Sequence, residues 1–330
     1  MMNFLKSTCI AAALLATTGI ATADTLKVSH IRPQDATIDK ELRVFADKLK
    51  EATGGSLELN LFPASALGDY TSVQERISVG AIDMAVQPAA TAVDRRMQIS
   101  AFPYVAANWD DAKKIYGPGG AIYDAMKELY AKQDITMLAA YPVYFGGIAL
   151  NTDAVNPGDP SASKGIKVRV PGIKSFQLTA DALGYISSPI PFSEAFTAVQ
   201  TGVVDGVVGS GAEGYYASFR DVTTTYVPVN THFEVWYMII NSGTLADLSD
   251  EDRAALEKAA LEFEAKRWET AEADQGAFEQ KLADYGATIV KLSDGELTAT
   301  AEHVRAQVWP QVLEDVGQEW GQSILDKIGN

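Results

Sequence analysis

The sequence predicts an α/β protein built as two similar lobes. Three observations carry this. Short apolar strands alternate with amphipathic helices along most of the chain, the pattern of successive βαβ units. A closing phrase occurs twice: Val79-Gly80-Ala81-Ile82-Asp83 is echoed by Thr201-Gly202-Val203-Val204-Asp205, and one offset of 122 residues relates Gly80 to Gly202 and Asp83 to Asp205. A helix with no internal breaker then runs from about Ser249 to Tyr285, roughly 50 Å at 1.5 Å per residue, long enough to join two lobes.

Met1 to Ala23 has the composition of a secretory leader. Lys6 supplies the positive charge, Cys9 to Ile20 is apolar, and Ala21-Thr22-Ala23 fits the small-x-small cleavage rule. The apolar run is too short to span a bilayer. Cleavage is expected before Asp24. Cys9 lies ahead of the apolar run, not after it, which argues against a lipid-modified cysteine. Its loss with the leader removes the only cysteine, so no disulfide or thiol chemistry is expected in the mature chain.

The formal net charge is −16, and loss of Lys6 makes it one unit more negative. Such a chain is a poor candidate for nucleic acid or for insertion at an anionic membrane surface. An anionic ligand would need a local basic site, because the overall field repels it.

From Thr25, TLKVSHI reads as a first strand, with Leu26 and Val28 on one face. Ile38, Leu42, Phe45 and Leu49 then follow helical spacing up to Gly54 and Gly55. Leu57, Leu59 and Leu61 alternate as a strand that stops at Pro63. LGDYTSVQERISVGAIDMAV gives a helix, a glycine stop and a strand. GPGG at 117–120 is a helix break. Ile135 to Tyr141 and Tyr144 to Asn151 read as two strands separated by Pro142, and 156–163 as a surface loop.

In the second unit, Ile166, Val168 and Val170 face one way and Lys167 and Arg169 the other. Ser193 is read as the N-cap of a helix carrying Ala195, Phe196 and Val199, which ends at Gly202. VVDGVV follows as a strand. THFEVWYMIIN, from Thr231, is a long apolar strand that returns the chain to the first lobe. Ser249 caps the long helix. ATIVKL is one more strand, and Ser293 with Glu296 forms a capping box for a last helical region bent at Pro310. Asp83 and Asp205 are read as turn residues that bond nearby amides.

Arg169 stands near the carboxyl end of its strand, opposite the apolar side chains. In open α/β sheets that end is where ligands bind. A guanidinium there presents a planar fork of donors to a carboxylate. The alternative is a surface arginine in a weak ion pair. No P-loop, GxSxG, HExxH or CxxC occurs, and His30, His232 and His303 lack metal-ligand spacing. His303 is expected to face solvent. Asp110-Asp111 and Glu269/Glu272 read as solvated helix faces. No catalytic constellation, metal site or cofactor is expected.

Several phrases are specific: KGIKVRVPG, then PFSEAFTAVQTGVVDG, together with LFPASALGD, GAIDMAV and AFPYVAANWDDA. In order and spacing they resemble the solute-binding proteins of TRAP transporters, the dicarboxylate-type family, across essentially the whole mature chain. The resemblance implies the two-lobed periplasmic binding protein fold: two α/β domains joined by crossover strands and a long hinge-spanning helix. Residues 24–143 with 231–270 are expected to form one lobe and 144–230 with 275–330 the other. It also implies a periplasmic protein, monomeric and not an enzyme, that captures a small organic anion and delivers it to membrane permease subunits. A binding protein of another transporter class, or an exported enzyme such as a lyase on a small acid, is the alternative.

The resemblance aligns Arg169 with the arginine that grips the ligand carboxylate, and Phe192 with an aromatic ring of the cleft wall. Gly209 falls where many relatives carry asparagine, which leaves Glu213, Tyr215 or Tyr216 as substitute contacts. The family's frequent second arginine is missing from YFGGIALN, so a second cation would come from Arg32, Arg95 or Arg96. Gln87, Tyr144, Phe145 and Trp236 are cleft candidates by strand-end placement, as is His30; core packing is the alternative for each aromatic. The anion itself, whether dicarboxylate, sugar acid, keto acid or sulfonate, stays open.

Overall fold

The computed structural model describes residues 23–329. The expected leader lies outside them except for Ala23. Two sheets form the centre. The first unit is β1 (Asp24–Ser29), α1 (Thr37–Ala52), β2 (Leu57–Phe62), α2 (Tyr70–Ser78) and β3 (Met84–Gln87). Ile38, Leu42, Phe45 and Leu49 form the buried stripe of α1, as their spacing predicts. A 3-10 turn (Arg95–Ala101), α3 (Trp109–Tyr116) and α4 (Ala121–Ala131) lead to β4 (Ile135–Phe145), which crosses into β5 (Gly147–Leu150).

The second unit repeats the first: β6 (Lys167–Val170), α5 (Lys174–Ala182), β7 (Ile186–Pro189), α6 (Phe192–Gln200) and β8 (Gly206–Ser210). After α7 (Ala212–Phe219) and β9 (Thr225–Val227) the chain returns through β10 (Phe233–Asn241). It continues through α8 (Ser242–Asp247), α9 (Asp250–Tyr285), β11 (Thr288–Ile289), α10 (Asp294–Val316) and α11 (Gln318–Ile328).

One sheet has strand order β2-β1-β3-β10-β4 and the other β11-β9-β5-β8-β6-β7. In each, the first strand of a unit pairs in parallel with the other two, and an antiparallel strand follows: β10 beside β3, β5 beside β8. The repeated phrase explains itself in this frame. Asp83 accepts the amide of Lys27 at 2.8 Å and Asp205 that of Lys167 at 3.1 Å. Each aspartate thus ties the end of its turn to the neighbouring first strand of its unit.

Some local expectations are corrected. Pro142 does not separate two strands: β4 runs through it to Phe145, because the ladder with β10 shifts register between Phe233 and Val235 and so tolerates a residue without an N–H. The cap of α6 is Pro191 and not Ser193, with no side-chain bond. Val203 to Asp205 belong to the turn before β8. ATIVKL supplies only the two-residue β11. The last helical region is two helices, α10 and α11, parted at Gly317, with Pro310 inside the first. His303 is half-buried, its Nε2 3.0 Å from the carbonyl of Ala182.

The chain crosses between the sheets at Gly146, again at 228–232, and along α9. The first two crossings are laddered together: Gly146 donates to His232 O at 2.8 Å, and Thr231 donates to Gly146 O at 3.0 Å. A Cβ on Gly146 would lie 2.3 Å from the His232 ring, so only glycine lets the two segments approach.

α9 is unbroken over 36 residues, capped by Ser249 and closed by Gly286 in the left-handed conformation. It packs on α1 and β4 of the first sheet and on α7 and β11 of the second. Its inner stripe includes Leu256, Ala260, Glu264, Arg267 and Ala271. Glu264 is buried there, with long contacts from Tyr123 Oη (3.5 Å) and Trp268 Nε1 (3.4 Å); burial pushes its carboxyl up to about 7, outweighing the Ala140 backbone and these two side chains, which favour its charged form. An unfolded chain would ionise it near its ordinary value of 4.5. Between those values the folded state holds the extra proton, so stability falls as pH rises. At 1.36 kcal/mol per pH unit the full loss is about 3 kcal/mol. Glu264→Gln is expected to raise stability to urea at pH 8 and to change little at pH 4. Equal effects at both pH values would disprove the assignment.

Candidate functional site

The carboxyl ends of the parallel strands in the two sheets face each other, and a cavity of about 50 Å³ lies between them. Ile31 and Arg32 reach it from the end of β1, Pro88 and Ala89 from the end of β3, Arg169 and Pro171 from β6, and Gly209 from β8. Phe233 to Trp236 enter from the start of β10, which runs antiparallel and so begins where its neighbours end. Ile173, Phe176, Phe192, Tyr70, Ser100, Ala101 and His232 complete the wall.

Arg169 is 2 % exposed. Its Nε donates to Ile190 O at 2.8 Å, and no carboxylate pairs with it among the described residues. Burial pulls its pKa below the ordinary value; Tyr70, Tyr215 and Asp69 oppose that pull without outweighing it. A guanidinium keeps its proton regardless, so this is a buried cation without a counter-ion. The Phe192 ring lies 5.7 Å from its Cζ. With Nε committed, Nη1 and Nη2 are left to bind an anion.

Arg32 is the opposite case. Its Nε donates to Glu213 at 3.2 Å, and its Nη2 to Ser210 at 2.7 Å and Glu234 at 3.3 Å. Burial disfavours its charge, but Glu213 and Glu234 outweigh that and raise its pKa. Trp236 and Phe192 lie over the guanidinium at 4.8 and 5.4 Å. Glu234 also accepts from Trp236 Nε1 (3.0 Å), Ser210 Oγ (3.0 Å) and Gly211 N (3.2 Å). The cluster joins Arg32 and Glu234, which follow and open strands of the first sheet, to Ser210 and Glu213 at the end of β8 and the start of α7.

His232 is buried and neutral: desolvation lowers its pKa to about 3. Its Nδ1 is 2.9 Å from Thr231 Oγ1, and its ring meets Phe176 edge-on.

Of the residues singled out in the sequence, Arg169, Phe192, Gly209, Trp236 and Arg32 line the cavity. Gly209 sits at φ +114°, and a Cβ there would come within 2.8 Å of Pro171, so the backbone itself demands glycine. The others are placed elsewhere. Glu213 lies behind Arg32. Gln87 donates to Tyr70 O at 2.8 Å. Tyr144 packs with Phe278 and Arg267, Phe145 with Trp109 and Phe233. His30 is held by Asp39 at 3.2 Å. Tyr215 bonds the carbonyls of Gly147 and Val207, and Tyr216 packs on Phe278. Arg95 and Arg96 form ion pairs with Asp315 and Asp94.

The model of the family of bacterial extracellular solute-binding proteins, family 7, matches residues 28–315. The chain belongs to this family. It is 28 % identical over 320 residues to a solute-binding protein of Roseobacter denitrificans, covering 94 % of this chain and 93 % of that one. It is 26 % identical over 299 residues to the C4-dicarboxylate-binding periplasmic protein of Rhodobacter capsulatus, with 89 % and 88 % covered. In fold it is similar to an extracytoplasmic solute receptor of Bordetella pertussis solved with pyroglutamic acid: TM-score 0.83, 22 % identity, 93 % of this chain and 100 % of that one. The expected two-lobed architecture and TRAP-type kinship therefore hold for this solute-binding protein.

Glu234, Phe176, Ile173 and His232 were not read as site residues. Glu234 left a usable signal, an acid inside the apolar run THFEVWYMIIN; Phe176 and Ile173 left none, since they look like ordinary helix-face residues.

Proposed function

We propose that this chain is the periplasmic receptor of a TRAP-type secondary transporter, that it captures a small organic anion between its two sheets, and that it hands the anion to membrane permease subunits. Arg169 carries this reading: a buried guanidinium with two free donors and no carboxylate partner among the described residues. The carboxylate of a ligand supplies the missing charge, and Phe192 covers it. The lobes, 24–143 with 231–270 and 144–230 with 275–330, rotate about the crossings near Gly146 and 228–232 while α9 bends with them. α10 and α11 pack on α5 and α4, and so brace both lobes. The ligand favours the closed form only through its higher affinity for it. The leader is removed before Asp24, and the receptor acts as a monomer without catalysis.

The organic anions named for the relatives, C4-dicarboxylates and pyroglutamic acid, support the ligand class. The test is mass spectrometry of small molecules released on denaturing purified protein. One organic acid at about one equivalent, unchanged after prolonged incubation with the protein, is the expected result. Turnover of that acid would point instead to an exported enzyme.

A further inference from the structure

We infer that the cavity selects an acid with a single carboxylate and a small apolar body, in preference to dicarboxylates and polyhydroxylated sugar acids. This rests on the binding reading above and concerns the chemistry of the same cavity. Two arginines reach the cavity, but only one of them lacks a carboxylate partner among the described residues. Arg32 already faces two carboxylates, Glu213 and Glu234, and a hydroxyl, Ser210. A second ligand carboxylate brought to it would meet two like charges in a low-dielectric site. Its faces and its Nη2 edge are crowded as well. Two aromatic rings lie over it, and the backbone of α7 comes so close that a Cβ on Gly214 would sit 2.2 Å from Nη2. Arg169 is therefore the one arginine lining the cavity that has no carboxylate partner among the described residues, and it takes one carboxylate.

The rest of the wall argues for an apolar body. Ile31, Pro88, Ala89, Ile173, Phe176 and Val235 present no side-chain polar atom. Several polar groups between them are committed. Glu234 has four donors, His232 Nδ1 is engaged with Thr231, and Ser100 Oγ donates to Met97 O. A ligand hydroxyl turned to these six apolar residues would lose its hydrogen bonds to water without replacement.

The experiment is calorimetric titration of the mature chain, freed of carried ligand by unfolding and refolding. The probes are butanoate, 3-methylbutanoate, 3-methyl-2-oxobutanoate, succinate and D-glucuronate, each also run against Arg169→Ala. At least one monocarboxylate is expected to bind tenfold or more tightly than both succinate and glucuronate, and to lose that affinity in Arg169→Ala. Succinate or glucuronate binding equally or more tightly, and still requiring Arg169, would overturn the selectivity while leaving the organic-anion reading intact. Binding of none of the probes, or binding indifferent to Arg169, would overturn both.

Discussion

Replacing Arg169 by alanine is expected to weaken binding of the native ligand by about 3–5 kcal/mol, roughly a hundredfold to several-thousandfold, in a protein that still folds. The guanidinium is 2 % exposed, so its pairing with a carboxylate is little screened by solvent. Without it the ligand's charge would be buried with no partner. Arg169→Lys is expected to fail substantially as well. An ammonium cannot keep the bond to Ile190 O and also present two parallel donors to a carboxylate. Stability should respond differently. The free protein holds this cation without a counter-ion, so removing it relieves a desolvation cost and gives up one hydrogen bond. Calorimetric titration, with urea unfolding of the ligand-free variant beside it, separates the two effects. Near-normal affinity in a folded Arg169→Ala would show that the anion is held elsewhere.

Arg267→Ala should do the reverse: large damage to stability from a residue outside the cavity. Arg267 is 1 % exposed on the inner stripe of α9. Its Nε donates to Pro142 O at 2.9 Å, its Nη2 to Val143 O at 3.5 Å, and its Nη1 to Asp274 at 2.6 Å and Glu41 at 3.5 Å. Tyr141 and Tyr144 lie over the guanidinium at 5.1 and 5.2 Å. Glu41 and Asp274 are about one-third exposed and can turn to water. The two carbonyls of β4 cannot, and each orphaned acceptor costs about 1–3 kcal/mol. With the lost ring contacts and packing, the expected destabilisation is about 3–5 kcal/mol. Equilibrium urea denaturation measures it; a loss below about 1 kcal/mol would mean that the long helix is anchored by its apolar contacts alone.

The parts of the fold that were legible are those with local causes. The stripe of α1 follows from spacing, the start of α9 from Ser249, and the repeated unit from two glycine–aspartate turns whose aspartates bond equivalent strands. Pro142 misled because its tolerance depends on a register shift against β10, a partner nearly a hundred residues away in sequence. The site divides in the same way. Arg169 was readable from strand position and motif. Arg32 was readable only as one of three arginines, since nothing local marks Glu213 and Glu234 as its neighbours. Tyr144 and Phe145 stand at a strand end, yet β4 carries them past the cavity into contact with the long helix and the aromatic cluster around Phe233. Strand-end reasoning holds only while the strand ends where the sequence suggests.

His232 has a consequence for how occupancy reaches the rest of the molecule. Its ring is part of the cavity wall, and its own carbonyl accepts the hydrogen bond from Gly146 that ladders the two crossings together. On the proposed hinge, pivot and cavity wall would therefore share one residue. A rotation of one sheet against the other would turn that peptide and shift the ring against Phe176; conversely, a solute pressing on the ring would load the pivot directly. Such a receptor would need no chain of intermediary side chains to report that it is full, because the axle would itself meet the cargo.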